Sequence, residues 1–226
     1  MRLALRRLVD HAHTLGPARV GRIASRWLFR RTFTAYVRDL STPLPAVPPA
    51  GPLARAAIRE ADSATLERMD PALTLAEIRR RQAEGQEGYA WWLDGAPAHS
   101  YWITRESVRL LYLGRTFRPA PGDVFVVDAF TRADLRGRGI DRLSGLDYLH
   151  RVRAEGLRRS VALIASWNAP AHRVSRDRMG YTPVGSIGFR HALVARRYFA
   201  TGLVRLDADR GFAIASETPP GGEPRA

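Results

Sequence analysis

The strand-turn-helix junction between residues 124 and 155 constrains this chain most. Val124 to Phe130 is an apolar run with strand character, and Asp134-Leu135-Arg136-Gly137-Arg138-Gly139-Ile140-Asp141 follows it. That run opens an amphipathic helical pattern reaching about Glu155. Without Cβ atoms, Gly137 and Gly139 let backbone N–H groups converge on an anion, and the helix dipole favours negative charge at the same point. Arg136, Arg138 and Arg142 add positive charge around the turn. The Gly-Lys-Ser/Thr element of a Walker loop is missing. A dinucleotide fingerprint is excluded too, because Arg142 stands where a third glycine is needed.

Arg136, Gly139 and Asp141 resemble the Arg-x-x-Gly-x-Gly/Ala pyrophosphate turn of GNAT-type (Gcn5-related) acyltransferases. The downstream order is similar to that family as well: a helix, Gly156, a buried strand Val161 to Ser166, Asn168, and a second helix ending at Met179-Gly180-Tyr181. Upstream, Tyr89 to Leu93, Asp94-Gly95 and Ala98 to Ile103 look like the hairpin before the family's central strand. The resemblance covers roughly residues 53 to 205. It implies an α/β GNAT fold, a mixed and mostly antiparallel sheet flanked by helices. Two positions depart from the pattern. Asp141 stands where the family has Gly or Ala, and Arg176 replaces the family's tyrosine four residues before the glycine.

Composition narrows the chemistry. The net charge is +14, and all 36 cationic residues are arginine. The absence of lysine excludes Schiff-base and lysine-nucleophile mechanisms, and the bias suggests a GC-rich bacterial genome. With no cysteine, disulfides, thiolate-metal sites and a covalent Cys mechanism are excluded. The six histidines show no H-x-x-x-H or H-E-x-x-H spacing, so no zinc site is expected. No stretch approaches the ~18 apolar residues needed to span a membrane. The N-terminus lacks the uninterrupted apolar core of a secretory signal. A cytoplasmic location is expected.

Residues 1–40 carry nine arginines against Asp10 and Asp39. Leu3, Leu5, Leu8 and Ala12, then Val20, Ile23, Trp27 and Leu28, recur at helical spacing on either side of Gly16-Pro17, which predicts a basic helical extension. Its apolar stripe packs on the main domain, or its arginines form a surface for acidic lipid, nucleic acid or an acidic carrier protein. Residues 41–52 form a Pro-rich, extended linker. The acyltransferase domain is expected over 53–216 and a disordered tail over 217–226. Within the domain, Leu53 to Ile58 reads as a strand and Asp62-Ser63 as a helix cap. Thr74 to Ala83 reads as a second helix, Val108 to Leu113 as an extra strand, and Val184 to Leu193 and Leu203 to Ile214 as closing strands.

The resemblance implies attack of an amine on a thioester, with acetyl-CoA or another acyl-CoA as donor. Ala129, Phe130 and Thr131 are then the neighbours of the pantetheine arm, pairing with it as an added strand would. Arg136, Gly137, Arg138, Gly139, Ile140 and Asp141 would hold the pyrophosphate. Asn168 would bond the arm, order the nearby helix, or simply cap it. Asp128, in an apolar strand, is the first candidate for the base, with pairing to an arginine as the competing role. His99 is the second candidate. Ser175, one residue before the missing tyrosine, is the candidate thiolate acid. Tyr181 follows the glycine, and loss of the thiolate without assistance is also compatible with a thiol pKa near ~8.5.

The acceptor is an amine-bearing small molecule or peptide. One alternative is a carrier-protein donor, as in the N-acyl amino acid synthases that the fold also includes, since a basic protein suits an acidic partner. Another is a non-catalytic basic binding module. Nucleic acid is not expected as a partner. Peripheral membrane contact through residues 1–40 and a homodimer are both compatible with the sequence.

Overall fold

The computed structural model describes residues 30–192, 195–207, 209 and 211–215. The helical stretches expected within residues 1–29 and the expected tail lie outside these residues.

Alternation of small, β-branched and aromatic residues builds a large sheet. Strand β1 (Arg30–Asp39) leads through an extended linker to β2 (Leu53–Ala57). Two short helices follow, α1 (Ser63–Met69) and α2 (Leu75–Ala83). Thr74 caps α2 by accepting the Glu77 N–H at 3.2 Å. The hairpin of β3 (Glu87–Leu93) and β4 (Ala96–Thr104) turns at Asp94 (φ 50°) and Gly95 (φ 75°), the left-handed pair that a tight hairpin requires. Then come β5 (Val108–Leu110), β6 (Arg115–Phe117), β7 (Asp123–Thr131), helix α3 (Ile140–Ala154) and β8 (Arg159–Ala165). Short helix α4 (Ala169–Arg173) runs into a π-helical turn, Val174–Arg178. The chain closes with β9 (Thr182–Ala192), β10 (Ala195–Gly202), β11 (Val204–Leu206) and β12 (Gly211–Ile214).

Eight strands form the main sheet in the order β10-β9-β1-β8-β7-β4-β3-β2, and β11-β12-β6-β5 form a second sheet. Of the main-sheet neighbours only β7 and β8 are parallel. Helix α3 and the α4 region cover one face, where Leu146, Tyr148, Leu149 and Met179 pack with Tyr36, Tyr101 and Ile103. On the opposite face α1 and α2 pack Leu66, Met69 and Ile78 against Trp102 and Phe130. The second sheet continues that layer, burying Phe117 and Phe212 against Phe125. Full burial of each such ring contributes about 2–3 kcal/mol by area.

Two expectations are corrected here. Residues 30–39 were assigned to the helical extension but form a strand inside the sheet, between β8 and β9. The segment Thr32-Phe33-Thr34-Ala35-Tyr36-Val37 has period 2, with Phe33 and Ala35 buried in the second-sheet layer and Tyr36 under α4. Leu203 to Ile214 does not close the main sheet. It breaks into β11 and β12 of the second sheet, and β10 takes the edge position.

Candidate functional site

Strands β7 and β8 are paired only from Asp123–Val126 against Arg159–Ala162. Beyond that point β8 continues on β1, with Ala165 opposite Phe33, while β7 continues on β4, with Thr131 opposite His99. The two strands therefore part, and among the described residues no strand pairs with β7 from Val127 to Thr131 on the β8 side. A register shift in β7 against β4 falls between Trp102 and Ile103, so Val127 is the bulged residue, where the strands begin to separate. An unpaired stretch of strand backbone inside a sheet is a place for an extended ligand to add its own hydrogen bonds.

The same strand leads into the glycine turn. Gly137 and Gly139 both sit at φ 81°, a left-handed conformation that strains any side chain. A Cβ at either would meet nothing within 4 Å, so the turn is open on its outer side. Gly139 is the N-cap of α3 and no side chain caps the helix, which leaves its first N–H groups for an anion. Arg138 is exposed beside the turn. The Arg142 Nε is buried without a hydrogen-bond partner. A cavity of about 460 Å³ adjoins the turn, with Pro48 and Gly51 of the linker and Leu53 of β2 on one side and Arg138, Ile140 and Arg142 on the other. Arg136 faces away from that cavity. Its Nε donates to the Thr131 carbonyl at 3.1 Å and its guanidinium lies 5.3 Å from the Phe130 ring centre.

Ala129, Phe130 and Thr131 lie on β7 beyond the point where it parts from β8, Ala129 exposed and Phe130 buried. His99 is buried, and its Nδ1 is 2.8 Å from the Thr131 hydroxyl. Burial lowers its pKa below the ordinary 6.5, and the carboxylates of Asp141 and Asp128 act in the opposite direction.

Asp128 is paired with a buried arginine. It accepts a hydrogen bond from Arg81 Nη2 at 3.0 Å, and Arg81 Nε donates to Glu77 at 2.7 Å. Arg81 is buried and lies 5.2 Å from the Trp102 ring centre. Sequence reasoning passed over Arg81, although its signal was present: an arginine three residues after Ile78 on the buried stripe of α2. Asn168 caps α4, accepting the Ala171 N–H at 3.3 Å.

Ser175 lies in the turn that follows α4. It is buried in the π-helical turn, where its carbonyl accepts the Tyr181 N–H at 3.0 Å. Among the described residues no hydrogen bond joins its hydroxyl to β7. Tyr181 bonds Ser160 at 2.7 Å and Ser160 bonds Tyr148 at 2.8 Å; burial pushes both phenols up, which makes them poor acids. A further pair lies nearby. His172 Nε2 donates to the Ala165 carbonyl at 3.1 Å, so its Nδ1 accepts from the Tyr36 hydroxyl at 2.9 Å. This pair ties α4 to β1 at the splayed end of β8.

Among the described residues no group of three or more His, Asp or Glu could hold a metal, and no helix is long and apolar enough to cross a membrane.

No protein-family pattern and no curated protein matches the chain. Solved structures do. A GCN5-related N-acetyltransferase from Sphaerobacter thermophilus superposes on 76% of this chain at TM-score 0.52 and 15% identity. A tandem GNAT protein of the clavulanic acid biosynthesis pathway matches 83% at TM-score 0.51 and 16% identity. A glucosamine N-acetyltransferase region of a fungal multi-domain β-N-acetylglucosaminidase matches 76% at 0.51 and 14%. The chain spans 51%, 58% and 22% of the length of these three. At such identities the likeness is one of fold: the chain has the GNAT fold.

Proposed function

We propose that this chain is an N-acyltransferase that moves an acyl group from acetyl-CoA or another acyl-CoA to an amine. The observation that carries the reading is the parting of β7 from β8 after Val126, with β7 running on into a glycine-lined helix N-terminus that no side chain caps. The GCN5-related N-acetyltransferase and the tandem GNAT protein that share the fold point the same way.

The residues fit an acyl-CoA. The backbone of residues 127–131 offers strand hydrogen bonds to the pantetheine arm. The turn of Gly137 and Gly139, the first N–H groups of α3, Arg138 and the free Arg142 Nε suit the diphosphate. Asp141 opposes it by charge, and the arginines around the turn offset that opposition. When bound, the donor supplies a thioester carbonyl open to attack. The bulge at Val127 turns a backbone N–H out of the ladder, where it can stabilise an oxyanion. Asp128 lies on the α1–α2 side of the sheet and takes the proton of the attacking amine through water, with Arg81 as its positioning residue. His99, neutral at pH 7, is the second proton acceptor and is oriented by Thr131. A solvent-assisted departure of the thiolate needs no tyrosine.

Calorimetric titration with acetyl-CoA tests the reading. Micromolar binding is expected, and Gly139→Trp, which both strains the backbone and fills the turn, should abolish it. Binding that survives Gly139→Trp would remove the turn from the site.

A further inference from the structure

The register of the β1–β9–β10 end places three arginines in one row. Arg30 is opposite Arg190, and Arg190 is opposite Arg197. Directly opposed residues share a face of the sheet, so the three guanidiniums are neighbours across roughly 10 Å, two strand spacings. All three are exposed, and none forms an ion pair with a carboxylate among the described residues. Like charges in directly opposed positions destabilise a sheet.

The next rows on this face are of a different kind. Thr32, Gly188 and Phe199 form one, and Thr34, Ser186 and Thr201 the next. Phe199 lies over Gly188, where a Cβ would come within 2.7 Å of the ring. The guanidiniums of Arg30 and Arg190 sit 5.8 and 5.7 Å from the centre of that ring. The patch thus joins a cationic row, one partly exposed aromatic flanked by arginines, and a floor of hydroxyl donors. A lipid surface wants protruding apolar side chains, which the described residues of this face lack. An acidic peptide needs the charge but has no use for the ring. A single-stranded nucleic acid uses all three: arginines and hydroxyls for phosphates, the ring for a base.

We propose that this face binds single-stranded nucleic acid, with Arg30, Arg190 and Arg197 on the phosphates and Phe199 stacking a base. The surface is distinct from the glycine turn and the splayed edge, so the proposal stands or falls apart from acyl transfer. Net charge alone gave no reason to expect such a partner. Position 30 is far in sequence from 190 and 197, and only strand register makes them one row.

The test is fluorescence anisotropy of the full chain with a short labelled oligouridylate across a salt series. Three phosphate contacts predict a log–log salt slope of roughly −2, a loss of roughly 15–20-fold between 50 and 200 mM salt. The double variant Arg190→Thr/Arg197→Thr should cut the slope to roughly −0.7. It should melt no lower than the parent, since it removes like-charge repulsion. Phe199→Leu should weaken binding by roughly five- to a hundredfold at fixed salt with the slope retained. Three results would overturn the proposal: no binding, a slope unmoved by the double variant, or equal displacement by polyglutamate or phosphatidylglycerol vesicles at matched charge.

Discussion

Single residues divide the site into a part that holds and a part that reacts. Asp128 lies on the strand that carries the splayed edge, and the buried guanidinium of Arg81 fixes its carboxylate at 3.0 Å. Asp128→Asn keeps a similar shape and loses the proton acceptor. Turnover should fall by roughly 10²–10⁴-fold with acetyl-CoA affinity unchanged, as steady-state kinetics beside calorimetry will show; equal loss in both would make Asp128 a structural residue only. His99 supports a second prediction. Its folded pKa lies below 6.5, so the unfolded chain binds the proton more readily. Stability contributed by neutral His99 is therefore present above about 6.5 and is lost as pH falls through the region below it. Chemical denaturation between roughly pH 5 and 7 should show this decline, and His99→Gln should flatten it. An unchanged slope in the variant would assign the acid sensitivity elsewhere.

At the scale of elements, the unusual feature is β1. It pairs along its whole length, with β8 through residues 33–39 and with β9 through residues 30–37, and it seats Phe33, Ala35 and Tyr36 in two core layers. A truncation that begins at residue 30 keeps this strand; one that begins at residue 41 removes it. The second deletion exposes the inner edges of β8 and β9 and should abolish cooperative unfolding, while the first should leave a thermal transition. A folded chain starting at residue 41 would show that β9 can close directly on β8. The hairpin, α3 and β8 are local elements by contrast. Their patterns are readable because β3 meets β4, and β7 meets β8 across α3, within a few dozen residues, with glycine marking the turns.

For the whole molecule, charge is the governing quantity. A net +14 from arginine alone gives long-range self-repulsion that the ion pairs of α2 and the β7–β8 start offset only locally. Screening shortens that repulsion to about 8 Å at 0.15 M salt. Raising salt from a few millimolar to this range should therefore raise the melting temperature by scanning calorimetry. A fall would mean that the ion pairs dominate over the repulsion.

Sequence alone determined the strand–glycine–helix junction, the flanking hairpin and strands, and hence the α/β fold, because these rest on local periodicity and on backbone conformations that only glycine adopts easily. Tertiary structure decided the rest. The insertion of β1 was hidden because a half-buried, period-2 segment next to a helical pattern does not say which strand it will join. The Arg81–Asp128 pair was hidden because an arginine on an apolar stripe does not say which carboxylate it will meet across a sheet. Ser175 was placed one residue from the missing tyrosine by counting, but the π-helical turn sets it beside Tyr181. The arginine row exists only once register aligns residues 30, 190 and 197. Each of these depends on contacts between segments distant in the chain, and such contacts are selected by the packing of the whole core.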